Sequence, residues 1–377
     1  MKINQIAYYD RELEWQFEPI YFSDLTLLVG ISGVGKTQIL KSIVFLQNIA
    51  QGASFNGIKW NVEFTTKDSI GYSWSGEFET KKVARIMIKG EENNKDKFRI
   101  INEVLKKDDQ IIVERDSKNI KFKDKILPKL SPFQSIVDIL SEEEDIAPVK
   151  NEFDKIIYSD QSSSVDGVHF IKYVPIAKKY ANLSLDKIQE SDLPIQIKLA
   201  LVYNNYPEVF NQIKQKFIDI FVQVEDIKLE PDEYEELPAL LTEYPFVKIK
   251  EKEVKNWINQ NQISSGMFRT LMHISELYLS AEGTVILIDE FENSLGVNCI
   301  DIVTELLLEN KKLQFIITSH HPYIINKIGM EHWKIVTRRG GIVKARDAKD
   351  FNLGKSRHQA FMQLINLDDY KEGIAVR

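Results

Sequence analysis

One cysteine, Cys299, stands among 377 residues. A single thiol cannot close a disulfide within the chain and leaves no cysteine-based metal site, so a reducing compartment suits the sequence best. Long apolar runs are missing too. The longest, such as Val285-Ile286-Leu287-Ile288, are strand-sized and far short of the ~20 residues that a membrane helix needs. Met1-Lys2-Ile3-Asn4-Gln5 has no apolar signal core, so a cytoplasmic protein with no membrane span is expected. There is no excess of basic charge: 49 Lys and Arg stand against 56 Asp and Glu, a net charge of −7. The chain as a whole therefore lacks a nucleic-acid footprint, while a local basic patch stays open. Internal repeats, low-complexity segments and sustained heptads are absent, which excludes a solenoid and a long coiled coil.

What is present is ordinary for a globular protein: 43% hydrophobic and 28% charged residues, with length enough for two or three domains or lobes. Near residue 30 the chain reads Gly30-Ile31-Ser32-Gly33-Val34-Gly35-Lys36-Thr37. This fits the phosphate-binding pattern G-x-x-x-x-G-K-[ST] at every fixed position. The flanks fit as well. Leu25-Thr26-Leu27-Leu28-Val29 suits a buried strand, and Ile39, Leu40, Ile43, Val44 and Phe45 follow at helical spacing. Glycines let the backbone fold back so that successive N–H groups point inward, and the helix N-terminus adds partial positive charge. Lys36 is expected on the outer phosphates and the Thr37 hydroxyl on a magnesium ion.

An α/β fold is expected, in three parts. Residues 1–130 hold the phosphate loop and a β-rich stretch, where Ile58, Trp60, Val62 and Phe64, then Ile70, Tyr72 and Trp74, alternate with polar residues. Residues 90–96 read as a hairpin or loop tip. Residues 131–245 read as a helical insertion. Its stripe of Val209, Phe210, Ile213, Phe217, Ile220, Phe221 and Val224 packs a core, and an acidic linker follows at 230–243. Residues 246–377 return to α/β form, with strands at 285–288 and 313–318, a helix between them, and a hairpin over 333–343.

The run Val285–Ile288 ends in Asp289-Glu290. A buried strand that stops there delivers both acids to the sheet edge beside the phosphate loop. Asp289 is expected to hold magnesium and Glu290 to polarise the attacking water as general base. The next apolar strand closes on Thr318-Ser319-His320-His321. His320, rather than His321, is expected to touch the γ-phosphate or the catalytic water. Upstream, Ile263-Ser264-Ser265-Gly266-Met267 opens a helix. Such a turn is either a second anion site or an ordinary serine cap.

These pieces, in this order, resemble the ABC-type ATPases of the SMC/RecF/OLD group over residues 1–50 and 255–330. The resemblance implies an ABC/SMC-type P-loop ATPase head with an antiparallel β part and an inserted helical lobe. It makes residues 263–267 the signature, with Ser264 and Gly266 on nucleotide, residues 291–296 the D-loop region, and His320 the switch histidine. It offers Gln134 as the glutamine that contacts magnesium. The signature departs from Leu-Ser-Gly-Gly-Gln at Ile263, Ser265 and Met267. That form, with Glu-Asn-Ser-Leu-Gly and Ser-His-His-Pro, looks like AAA-labelled ATPases of bacterial anti-phage modules, of which the PARIS ATPase subunit is one type.

The implied cofactors are ATP and Mg2+. The implied mechanism sandwiches two ATP molecules between two heads of a homo-oligomer, and hydrolysis loosens the pair. The implied partner is a separate nuclease or toxin, because some 55 residues after His321 are too few for a fused nuclease domain of usual size. The alternative is a RecF-like DNA-repair ATPase, with Lys81–Arg85 and Lys106–Lys125 as local basic regions. A transporter energy subunit fits the insertion poorly. A scaffold that holds ATP without hydrolysis fits Glu290 and His320 poorly.

Overall fold

The computed structural model describes residues 1–82, 97–159, 182–231, 244–293, 295–354 and 356–374. The chain divides into two compact units. One comprises Met1–Ile157, Gly283–Asp289 and Gln314–Arg377, the other Tyr158–Glu282 and Glu290–Leu313. These units are cut differently from the expected parts 1–130, 131–245 and 246–377. The composition does turn helical near 131, but Phe153 packs its ring edge-on against Phe64 and Trp74 of the β-rich part, which keeps that stretch in the first unit. Across 245, the strands on either side pair with each other.

In the first unit, chain order runs β1 (Lys2–Asp10), β2 (Trp15–Tyr21), β3 (Leu25–Val29), α1 (Lys36–Ala50), β4 (Ile58–Thr65), β5 (Gly71–Phe78), β6 (Ile100–Lys107), β7 (Gln110–Arg115), β8 (Ile120–Phe122), β9 (Lys125–Ile126), α2 (Ile136–Ile139), α3 (Ala147–Asp154) and β10 (Ile156–Tyr158). The second unit holds α4 (Leu185–Glu190), α5 (Ile195–Asn205), α6 (Pro207–Ile220), β11 (Val224–Glu230), β12 (Phe246–Glu251), β13 (Ile258–Asn259) and α7 (Ser265–Leu279). The chain then supplies β14 (Val285–Ile288) to the first unit and α8 (Val297–Glu309) to the second. It finishes in the first with β15 (Gln314–Thr318), α9 (Pro322–Lys327), β16 (Trp333–Arg339), β17 (Ile342–Asp347), α10 (Arg357–Leu364) and α11 (Asp368–Glu372).

One sheet of 14 strands runs in the order β10-β14-β15-β3-β16-β17-β2-β1-β4-β5-β6-β7-β8-β9. β14, β15, β3 and β16 are mutually parallel, whereas the stretch from β2 to β9 is antiparallel throughout. The sequence patterns follow from this. Val285–Ile288 and Leu25–Val29 are buried along their whole length, as continuous apolar runs in a parallel sheet must be. β4 alternates instead, burying Ile58, Trp60, Val62 and Phe64, because only one face of an antiparallel sheet needs cover. α1 turns Ile39, Leu40, Ile43, Leu46 and Ile49 into the core, all fully buried.

The second unit packs α5, α6, α7 and α8 around a core that includes Phe210, Ile213, Phe217, Leu271, Ile274 and Cys299, beside the three-stranded sheet β11-β12-β13. The expected stripe through Val224 is cut short. α6 ends at Ile220, Phe221 stays on the apolar face with its ring 4.7 Å from Phe217, and Val224 opens β11. The expected tip at 90–96 and nearly all of the acidic linker lie outside the described residues. Among the described residues, no helix is long and apolar enough to cross a membrane.

Candidate functional site

Because β14, β15 and β3 are neighbours and parallel, their carboxyl ends open on one edge of the sheet. Residues that leave those ends meet there, which is the usual ligand edge of a parallel sheet. From β3 comes the loop Gly30–Gly35, from β14 Asp289, and from β15 Thr318, Ser319 and His320.

The loop is shaped by its glycines. Gly33 and Gly35 have φ of 86° and 107°, a region that side chains strongly disfavour. At Gly35 space is also closed, since a Cβ there would stand 2.8 Å from the Trp15 ring and 3.2 Å from Val343. α1 begins directly behind it, and no side chain caps its first turn. Its leading N–H groups thus remain as donors for an anion. Lys36 is nearly fully buried, and its Nζ donates to the carbonyls of Gly30 and Ile31 at 2.8 and 3.0 Å. The ammonium is thereby held inside the curl of the loop. Thr37 follows in the first helical turn, half-buried.

At the end of β14, Asp289 is 8% exposed. Its Oδ1 accepts a 2.6 Å hydrogen bond from Thr318 Oγ1 at the end of β15. Thr318 went unsingled in the sequence; a hydroxyl closing an apolar strand was its only signal. Among the described residues, no group of three or more His, Cys, Asp or Glu side chains gathers to cage a metal. One buried carboxylate and a threonine hydroxyl suit magnesium, which keeps waters and takes its remaining oxygens from phosphates.

Glu290 follows directly. It is exposed and sits at φ 47°, a conformation that costs a non-glycine residue of order 1–3 kcal/mol and clusters at functional positions. Its carbonyl accepts from Asn293 N–H at 2.6 Å, forming a tight turn straight after the strand. The two histidines also separate. His321 caps α9, its Nδ1 accepting from Tyr323 N–H at 3.3 Å, while His320 is half-buried one residue nearer β15.

The second unit carries the serine turn. Ser264 is exposed and caps α7, its Oγ accepting from Met267 N–H at 3.3 Å. The Gly266 carbonyl accepts from Thr270 Oγ1, and Arg269 donates to the Asn293 carbonyl at 2.6 Å. The same helix bears a buried polar cluster that the sequence did not disclose. Ser159 Oγ donates to Glu276 at 2.7 and 2.9 Å, and His273 Nδ1 lies 3.3 Å from both.

Gln134, expected on magnesium, lies elsewhere. It stands beside Gly52, past the carboxyl end of α1, with its Nε2 on Asp138 Oδ2 at 2.9 Å. Lys36 and Thr37 open the other end of that helix, about 20 Å away along 15 residues. The structure therefore does not bring Gln134 to the phosphate loop. It lines a separate cleft of about 620 Å³ with Asn48, Gln51, Phe55, Lys97 and Phe133.

A family model described as "AAA domain, putative AbiEii toxin, Type IV TA system" matches residues 25–326. No curated protein matches the sequence. Among solved structures, an SMC head bound to the C-winged helix domain of ScpA is similar over 92% of this chain and 97% of that one, at 15% identity and a TM-score of 0.53. The SMC head domain from Thermotoga maritima is 14% identical over 92% and 99%, with a TM-score of 0.44. The first likeness establishes the fold as that of an SMC-type P-loop head.

Proposed function

The chain belongs to the AAA-domain family described as putative AbiEii toxins of type IV toxin–antitoxin systems, and from that premise we propose that it is a cytoplasmic switch ATPase that closes head-to-head around ATP and controls a separate effector. The observation that carries this reading is the meeting of the Lys36 loop and the Asp289–Thr318 pair on one carboxyl edge.

In this reading the uncapped first turn of α1 and the loop N–H groups receive the phosphates. Lys36, already inside the loop, moves its hydrogen bonds from the Gly30 and Ile31 carbonyls to phosphate oxygens. Thr37 and Asp289 would hold magnesium, which would neutralise phosphate charge there. Glu290, strained and exposed, orients and deprotonates the attacking water. His320 contacts the γ-phosphate, leaving His321 to its helix cap. Ser264 and Gly266 of a second copy cover the nucleotide. The exposure of Ser264 supports this, because an exposed turn is open to another head.

The family's description names a toxin of a type IV toxin–antitoxin system; in this reading the effector is a separate toxin or nuclease, acting in anti-phage defence. The test is calorimetry with MgATP, followed by light scattering of Glu290→Gln. Uptake of ATP and a nucleotide-dependent doubling of mass are expected, and a mutant that stays monomeric with ATP refutes the sandwich. Tight duplex binding that weakens steeply with salt would instead favour the DNA-repair reading.

A further inference from the structure

The phosphate loop has an apolar side as well as a polar one. Ile31 and Val34 are its two large side chains, and Val34 is 3% exposed. What covers them is the end of the chain. Gly373, buried and at φ 64°, follows α11 so closely packed that a Cβ there would lie 2.6 Å from Val34 Cγ1 and 2.8 Å from Ile31 Cδ1. Its conformation ends α11 in the common left-handed manner, but the helix end does not account for the contact with the loop.

Two anchors hold this segment on the sheet. The Gly373 carbonyl accepts from Arg338 N–H at 2.7 Å, and Asp369 pairs with Arg346 of β17 at 3.2 Å. Arg338 extends the connection. Its guanidinium lies 4.0 Å from the centre of the Trp15 ring, its Nη1 is 3.5 Å from the Gly33 carbonyl, and its Nε donates to Gly340 at 2.6 Å. The loop is thus gripped from outside by a glycine of the tail, and at its own Gly33 by an arginine that carries that tail.

We propose that residues 368–373 brace the phosphate loop, with Gly373 and Arg338 as positioning residues for nucleotide binding. The inference rests on the reading of that loop as the ATP site. A loop whose N–H groups are already turned inward spends less of its binding energy on ordering, so loosening the brace weakens affinity and leaves the chemical step alone.

The experiment uses the full chain with Gly373→Ala, and separately Asp369→Ala, which leaves Gly373 and the loop sequence intact. Hydrogen exchange of the loop amides is read without nucleotide, then Kd for MgATP and kcat at saturation. Loop amides exchanging several-fold faster, with Kd raised about tenfold and kcat within twofold of the parent, support the brace. General destabilisation would instead lower the active fraction and hence kcat. Unchanged loop exchange and Kd in folded Gly373→Ala overturn the proposal. If that variant does not fold, unchanged exchange and Kd in Asp369→Ala overturn it equally. A parent chain that takes up no ATP refutes the nucleotide reading, while the exchange comparison still decides whether the brace exists.

Discussion

Thr318 donates a 2.6 Å hydrogen bond to Asp289, and in doing so ties the last residue of β15 to the residue directly after its parallel neighbour β14. The carboxylate is thereby aimed while one lone pair is already occupied. Both groups are buried, so removing the bond takes a partner from each inside the protein.

Thr318→Val keeps the shape and removes the donor. It is expected to lower stability by about 1–3 kcal/mol and to raise the magnesium concentration needed for half-maximal ATP hydrolysis. Urea unfolding and a Mg2+ titration of hydrolysis measure the two effects. Full hydrolysis at unaltered Mg2+ dependence would show that Asp289 needs no such aiming.

Lys36→Ala removes an ammonium poised on two loop carbonyls. A charge-assisted hydrogen bond is worth about 1.5–3 kcal/mol, so ATP affinity is expected to fall about 10- to 150-fold. Calorimetry on a variant with an unchanged circular dichroism spectrum reports this directly.

Glu290 combines strain with its proposed chemistry. Glycine accepts φ of 47° without penalty, so Glu290→Gly is expected to stabilise the protein by about 1 kcal/mol. Hydrolysis should drop about 10²- to 10⁴-fold with loss of the general base. A melting curve and a phosphate-release assay test the pair of outcomes, and a variant with undiminished turnover removes Glu290 from catalysis.

Glu103 is wholly buried between Trp74 Nε1, Ile136 N–H and Arg115. Burial pushes its carboxyl up to about 7 from 4.5, with those donors pulling against the rise. The folded state therefore binds this proton more tightly than the unfolded state. The resulting stabilisation is full below pH 4.5 and is lost as pH climbs to 7, by up to about 3 kcal/mol. Glu103→Gln should flatten the dependence of the urea midpoint on pH across that window. An identical slope in parent and variant would show that Glu103 does not titrate there.

Glu276 anchors Ser159 and His273 inside the second unit. Glu276→Ala leaves both without their carboxylate partner, at an expected cost of about 2–4 kcal/mol from lost hydrogen bonds and cavity together. Replacement by Gln, which keeps an acceptor, should recover part of it in the same denaturation assay.

Much of the architecture was legible where one segment carried its own signal. Leu25–Val29, Val285–Ile288 and Leu313–Thr318 read as buried strands because a parallel strand covered on both faces must be apolar throughout. The helix after Lys36 read from its spacing. Where Gln134 stands could not be read from its own segment, because its neighbour Gly52 lies far upstream and is met only through packing. Phe153 likewise sits in a helical stretch yet packs against the aromatic residues of β4 and β5, a contact its own segment does not announce.

The order of residues along the chain was sufficient for the loop, its lysine, the acid pair and the strands that carry them, since each depends on neighbours a few positions apart. Only the tertiary structure decided which strand ends share an edge, that Thr318 holds Asp289, and that Gly373 rests on Val34. Those partners lie far apart in sequence, and contacts at such separation are set by strand order and packing, which no local pattern encodes.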